Sequence, residues 1–264
     1  MEKTGIAVWD PVEIPQKRCA LWRFPRRSIW VERIETEWHV LSLPEKREAR
    51  STCRMVTRSQ KPASSKWRHY LHRDSGTIQP SPVLPDRPVV MKPDRALTLL
   101  PGQSTVFFLE IPVWFRLSTS GYRPAKIFEE PLNVLTRTWF GDPVTGELCW
   151  GLASRLHHSI ESVGTTADRA VCPLMIENDS ESDLEFQKIC LHVENLSIFR
   201  GERHLWTNSL HVVFKGPDQA TQIEIVRTPP GFEEVMVPLS EARLPSTGWN
   251  IRRTFGMLKY FTDF

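Results

Sequence analysis

Apolar and polar residues alternate along most of this chain with a period of two, the rhythm of strands that bury one face. Across residues 29–41, Ile34, Thr36, Trp38 and Val40 fall on one side and Glu35, Glu37 and His39 on the other. Residues 50–58 repeat the pattern, with Cys53 and Met55 opposite Arg50, Arg54 and Arg58. Further strand signals cover 67–73, 95–100, 105–111, 171–178, 184–193, 204–215 and 221–228, with Leu148, Trp150 and Leu152 sharing one face in between. Residues 80–88 are rich in proline and read as a crossing segment. Near the end, Ile251, Phe255 and Leu258 recur at helical spacing, and Thr247 is placed to cap a short C-terminal helix.

Many short strands cut by glycine and proline predict an all-β fold of sandwich type. The strand signals group into two sandwich-like lobes, 1–130 and 131–264, with one continuous domain over 1–264 as the alternative. The 21 prolines argue against long helices. The ten tryptophans each offer about 150–250 Å² of burial, so they are expected in the core and at its edges.

Charge and cysteine content narrow the setting. A formal charge of +3 over 264 residues does not make the whole protein a polyanion binder. Five cysteines, none in a Cys-x-x-Cys pair, read as reduced thiols of a cytoplasmic protein and give no local metal motif. The N-terminal residues have no apolar core of signal-peptide type, and the most apolar run, 106–115, is too short to span a bilayer.

The segment "TRTWFGDPVTGELCWGLAS" (Thr136 to Ser154) poses a choice between turn and site. Asp142 can accept amide bonds, Pro143 fixes φ, and Gly146 can take positive φ, so the turn explains the composition. The alternative makes Asp142 and Glu147 metal or catalytic carboxylates, but no residue close in sequence completes such a site. Together with "LLPGQSTVFFLEIPVWFRL" (Leu99 to Leu117), "VCPLMIEN" (Val171 to Asn178) and "VMVPLSEAR" (Val235 to Arg243), this segment resembles an uncharacterised, prokaryotic and largely archaeal family, domain of unknown function 432. The resemblance runs over about Pro88 to Arg243 and implies a whole-chain domain. It implies no catalytic residue.

Other chemistry finds little support. No Gly-x-Ser-x-Gly elbow is present. His157, His158 and Ser159 are adjacent, so the two histidines point to opposite faces of any strand. His192, His204 and His211 lie on strand-like segments at no metal-binding spacing. No catalytic residue, metal or cofactor is assigned.

The sharper feature is basic. Between Glu45 and Arg73 stand nine positive residues and two negative ones. A hairpin of 50–58 with 67–73 would set Arg50, Arg54 and Arg58 on one face beside Trp67, His69, Tyr70 and His72, a surface able to hold phosphates and stack bases. Its bland counterpart is a solvated, charged sheet edge. The expected function is therefore a non-enzymatic binding or scaffold module for a protein or polyanion, with Arg50, Arg54, Arg58, Arg68 and His72 as the anion-binding candidates. The alternative is a hydrolase or carbohydrate-active enzyme with its site between the lobes.

Overall fold

In the computed structural model, which describes residues 7–45, 50–71, 76–93, 96–120, 124–141, 143–152, 156–186, 188–216, 221–234 and 237–244, the stretch 29–41 turns back on itself. It contributes to two strands, Arg27–Ile34 and Glu37–Pro44, paired so that Ile34 faces Glu37. The two-residue turn is made by Glu35 and Thr36, with Glu35 at φ +48°. No Asn-Gly pair announces it. Gln16 supplies what the turn lacks. Its side-chain amide donates to the Glu35 carbonyl (3.1 Å), and its oxygen accepts from the Glu35 amide (2.9 Å).

The described residues are all-β, with strands and three one-turn 3-10 helices. The expected C-terminal helix lies outside them. The chain divides into two compact units, each assembled from separated stretches. The first comprises residues 1–83, 113–133 and 166–168. Its five-stranded antiparallel sheet runs in the order Thr52–Val56, Cys19–Phe24, Arg27–Ile34, Glu37–Pro44, Arg68–Leu71. A second sheet has the order Val12–Glu13, Thr77–Val83, Trp114–Thr119, Lys126–Pro131.

Aromatic rings join these two sheets. Phe115 of the second sheet lies 5.6 Å from Trp22 and 5.9 Å from Phe24 of the first, both edge-on. Trp9 and Phe128 extend the cluster. On the opposite face of the five-stranded sheet, Cys19, Leu21, Trp30, Leu41 and Val56 form another buried cluster, covered in part by Leu43 and Trp67.

The region 80–88 is not simply a crossing. Thr77–Val83 is a full strand carrying Pro80 and Pro82. It pairs along its length with Trp114–Thr119, whereas its other flank meets Val12–Glu13 only at Thr77 and Ile78. The prolines therefore sit where, among the described residues, one flank has no partner strand and requires no ladder amide.

The second unit holds residues 84–112, 134–165 and 169–264. Its eight-stranded sheet centres on Arg169–Asn178, antiparallel to Ser104–Pro112 on one flank. The other flank has two parallel neighbours in succession, Leu205–Thr207 beside Ala170 and Val171, then Ser209–Phe214 from Leu174 onward. Pro173 falls in the gap between them. The expected strand over 204–215 is interrupted at Asn208, whose side chain accepts from the Ser197 amide and donates to the Val226 and Arg227 carbonyls. The expected strand over 184–193 is likewise split. Leu184–Phe186 pairs with Leu97–Leu99, and Ile189–Leu191 joins a separate four-stranded sheet of order Thr136–Phe140, Glu147–Leu152, Val89–Met91, Ile189–Leu191.

Phe115 is fully buried among the rings of the first unit. Phe115→Ala is expected to cost about 3–5 kcal/mol, and Phe115→Leu a minor part of that. Urea unfolding followed by circular dichroism reads both; equal losses would show that the shape of the ring, and not apolar burial, carries the contribution of Phe115.

Candidate functional site

Glu32 is paired on one side with Cys19 and on the other with His39, and it is 0% exposed. A carboxylate taken out of water needs compensation. Lys61 Nζ lies 2.6 Å from Oε1, Arg58 Nε 3.3 Å from Oε2 and His39 Nδ1 3.5 Å from Oε1. Lys61 makes a hydrogen bond, while Arg58 contributes charge alone. Both cations come from the 3-10 turn Arg58–Gln60 and the residue after it. That turn is held by the Thr57 amide donating to Gln60 Oε1 (3.2 Å). Lys61 also lies 5.0 Å from the Trp67 ring.

The chain of charge continues along the sheet. His39 Nε2 is 2.7 Å from Glu37 Oε2, and His69 Nδ1 is 3.5 Å from the same oxygen. The hydrogen bond with His39 holds the Glu37 carboxyl below its ordinary range. Donor atoms of Glu37, His39 and His69 lie within 4.8 Å of one another, a metal-like grouping. However, the two imidazoles are stacked, 3.9 Å apart and 20° from parallel. Lone pairs in near-parallel planes do not converge on one ion, so this grouping is not arranged as a metal centre.

The anticipated basic hairpin does not form. Thr52–Val56 and Arg68–Leu71 sit at opposite edges of the five-stranded sheet, with three strands between them. Each pairs with an outer strand of the central meander, and residues 57–67 connect the two edges. Arg50 is exposed just before the edge strand, and Arg54 is exposed on it, opposite Leu21. Arg58 is tied to Glu32. Arg68 is exposed at the far edge, with its guanidinium 5.7 Å from the Phe128 ring. His72 lies outside the described residues.

In the second unit, the turn reading of residues 136–154 holds for the hairpin, in which Phe140 faces Glu147. Positive φ is taken by Gly141 (+97°), however, and not by Gly146. Asp142 lies outside the described residues. Glu147, for which the sequence offered no partner, has close neighbours in space. Glu147 and Cys149 are two apart on one strand, hence on one face. Cys190 and His192 are likewise two apart, with the Val89–Met91 strand between the two pairs. Cys149 Sγ is 3.9 Å from Cys190 Sγ, and Cys190 Sγ is 3.8 Å from Glu147 Oε1. His192 Nε2 is 3.1 Å from that same oxygen, and its Nδ1 is 3.0 Å from Glu194 Oε1. Burial lowers His192, but its bonds to Glu147 and Glu194 outweigh this and lift it to about 10. The Cys190 thiol is pushed up by its bond with Cys149, by burial and by the nearby carboxylates.

Residues 8–259 match a family described as protein of unknown function (DUF432). The chain belongs to the DUF432 family. No curated protein and no solved structure matches it. Other polar pairs of this DUF432 protein lie elsewhere among the described residues. His157 Nδ1 is 2.9 Å from Ser162 Oγ, which itself donates to the Ser159 carbonyl. His211 pairs with Glu177 at 3.2 Å and His204 with Glu233 at 2.8 Å. An apolar cleft of about 430 Å³, open mouth included, is lined by Leu174, Ile176, Phe186, Val212 and Phe214, with Thr221 and Cys190 its polar exceptions. It gathers no set of titratable groups. Burial lifts the Cys19, Cys53 and Cys172 thiols to about 12, which keeps them unreactive. Among the described residues no helix is long and apolar enough to cross a membrane.

Lys61→Met removes the hydrogen bond to buried Glu32 and is expected to cost about 1–3 kcal/mol, whereas exposed Lys66→Met should stay within about 0.5 kcal/mol; urea titration of both variants compares them. Glu233 gives a pH signature. Burial raises its carboxyl, but bonds from His204 and the Arg203 amide outweigh this and hold it below 4.5. Its stabilisation is therefore present above pH 4.5 and is lost as the pH falls through the lower folded value. Glu233→Gln should lower Tm at neutral pH, with the gap from wild type closing in acid, as melting curves across pH will read.

Proposed function

We propose that this DUF432 protein is a binding module that holds an anionic partner on the basic segment of its first unit. One observation carries the reading. Residues 50–71 include six lysines and arginines and no acidic residue. Only Arg58 and Lys61 have a carboxylate partner among the described residues, and they share the single buried Glu32. Arg50, Arg54 and Lys66 remain exposed, without a carboxylate partner among the described residues. The buried ion cluster anchors the segment, so exposed cations are presented on a fixed support. A preorganised cationic surface loses less entropy on meeting a polyanion than a loose tail does. Among the described residues the edge strand Thr52–Val56 pairs with Cys19–Phe24 alone, which leaves its outer ladder for an extended partner. The five free thiols suit a reducing compartment, and the proposed setting is the cytoplasm.

The test is retention on immobilised heparin together with fluorescence anisotropy of a labelled single-stranded oligonucleotide and a labelled acidic peptide. Wild type should bind at low salt, and log K should fall linearly with log salt. The triple variant Arg50→Glu, Arg54→Glu, Lys66→Glu should lose binding of its preferred probe and reduce the salt slope by about one per lost phosphate contact. Circular dichroism confirms that the variant folds. Identical binding by wild type and variant would reduce the surface to a solvated sheet edge.

A further inference from the structure

We propose that Glu147, Cys149, Cys190 and His192 form a four-coordinate site for zinc or a similar soft divalent transition metal. The donor set is two sulfurs, one imidazole nitrogen and one carboxylate oxygen, the ligands zinc takes. Zinc bound tetrahedrally at about 2.3 Å from sulfur and about 2.0 Å from nitrogen and oxygen requires edges of about 3.8 Å between sulfurs, 3.5 Å from sulfur to oxygen and 3.3 Å from nitrogen to oxygen. The corresponding separations are 3.9 Å for Cys149–Cys190, 3.8 Å for Cys190–Glu147 and 3.1 Å for His192–Glu147. The ligand atoms of Glu147, Cys149 and Cys190 all fall within 4.8 Å of one another; His192 lies outside that grouping, touches it through Glu147, and has to swing toward the sulfurs to complete the four.

A second observation points the same way. Glu194 is 6% exposed and lies 3.0 Å from His192 Nδ1. A carboxylate on one imidazole nitrogen fixes the tautomer and turns the other nitrogen toward a metal, the usual outer partner of a histidine ligand. Here the other nitrogen is Nε2, which faces Glu147. The remaining Glu194 oxygen is buried without a hydrogen-bond partner, so its position is not explained by satisfying its own polar groups.

Charge supports the assignment. Two carboxylates and two thiols crowd around one imidazole in a partly buried pocket. A divalent ion would offset the negative charge of the carboxylates and of the thiolates that bind it. Cys149 is fully buried, while His192 and Glu147 are 23% and 28% exposed, so an ion has a path in. A disulfide is the competing outcome, but it would require the sulfurs to close from 3.9 Å to about 2.05 Å.

The test uses the full chain, reduced and stripped with chelator, and then titrated with zinc by calorimetry and with cobalt(II) by visible absorption. One equivalent of zinc is expected, and cobalt should give the intense visible bands and sulfur-to-metal charge transfer of tetrahedral thiolate ligation. Cys149→Ser and Cys190→Ser should remove the charge-transfer band and weaken zinc binding at least 100-fold, with the fold checked by circular dichroism. Glu194→Gln should keep the cobalt spectrum and lose about 10–100-fold in affinity. No stoichiometric zinc uptake by the reduced wild type would overturn the site. So would tight binding that survives both cysteine variants. Because the cobalt spectrum is read on wild type, misfolding of a variant leaves the proposal exposed to refutation.

Discussion

The first unit depends on a sheet that is buried on both faces. Cys19, Ala20, Leu21 and Trp22 are buried in succession, and so are Ser28 to Glu32. A strand that alternates between core and water cannot show such a run; two covered faces require it. Trp22 and Phe24 meet the rings of the second sheet, whereas Cys19, Leu21 and Trp30 lie in the cluster against which Trp67 packs. Glu32 falls among the buried positions, which is why cations from the connecting segment close on it. The exposed arginines before and on the edge strand are a by-product of that closure. The segment that neutralises one interior carboxylate also carries more positive charge than the carboxylate can use.

Much of the fold is legible in the residues. Period-two alternation and the glycine and proline breaks are enough to give an all-β chain. What escapes is pairing. The turn at Glu35 and Thr36 needs positive φ from a glutamate, and the support comes from Gln16, 19 positions away. The splitting of 184–193 and 204–215 is set by which neighbour each half finds, a tertiary fact with no local signal. The basic hairpin fails for the same reason. Two alternating segments separated by a loop look like hairpin partners, yet each does better on an opposite flank of the central meander.

The cluster at Glu147 shows where local reading ends. Cysteine spacing correctly gives no sequence-local clip, since Cys149 and Cys190 are 41 positions apart. The usable signal is fainter. Glu147-x-Cys149 is an i, i+2 pair on one face of a strand, and Cys190-x-His192 is an i, i+2 pair that runs off the end of another. Two such pairs matter only when the sheet sets them near each other, and the short Val89–Met91 strand does so by pairing with both.

Pro173 has a consequence for the chain before it folds. Arg169–Asn178 is the longest strand among the described residues and one of their most apolar segments, the kind of stretch that favours cross-β stacking in an unfolded chain. Fibril growth requires every amide of such a stretch to bond to the copies above and below, and a proline in its middle denies that repeat. The native sheet loses little by this, because the proline stands where one parallel neighbour has ended and the next begins. A residue that is inexpensive in the finished sheet thus guards the unfolded chain against aggregation.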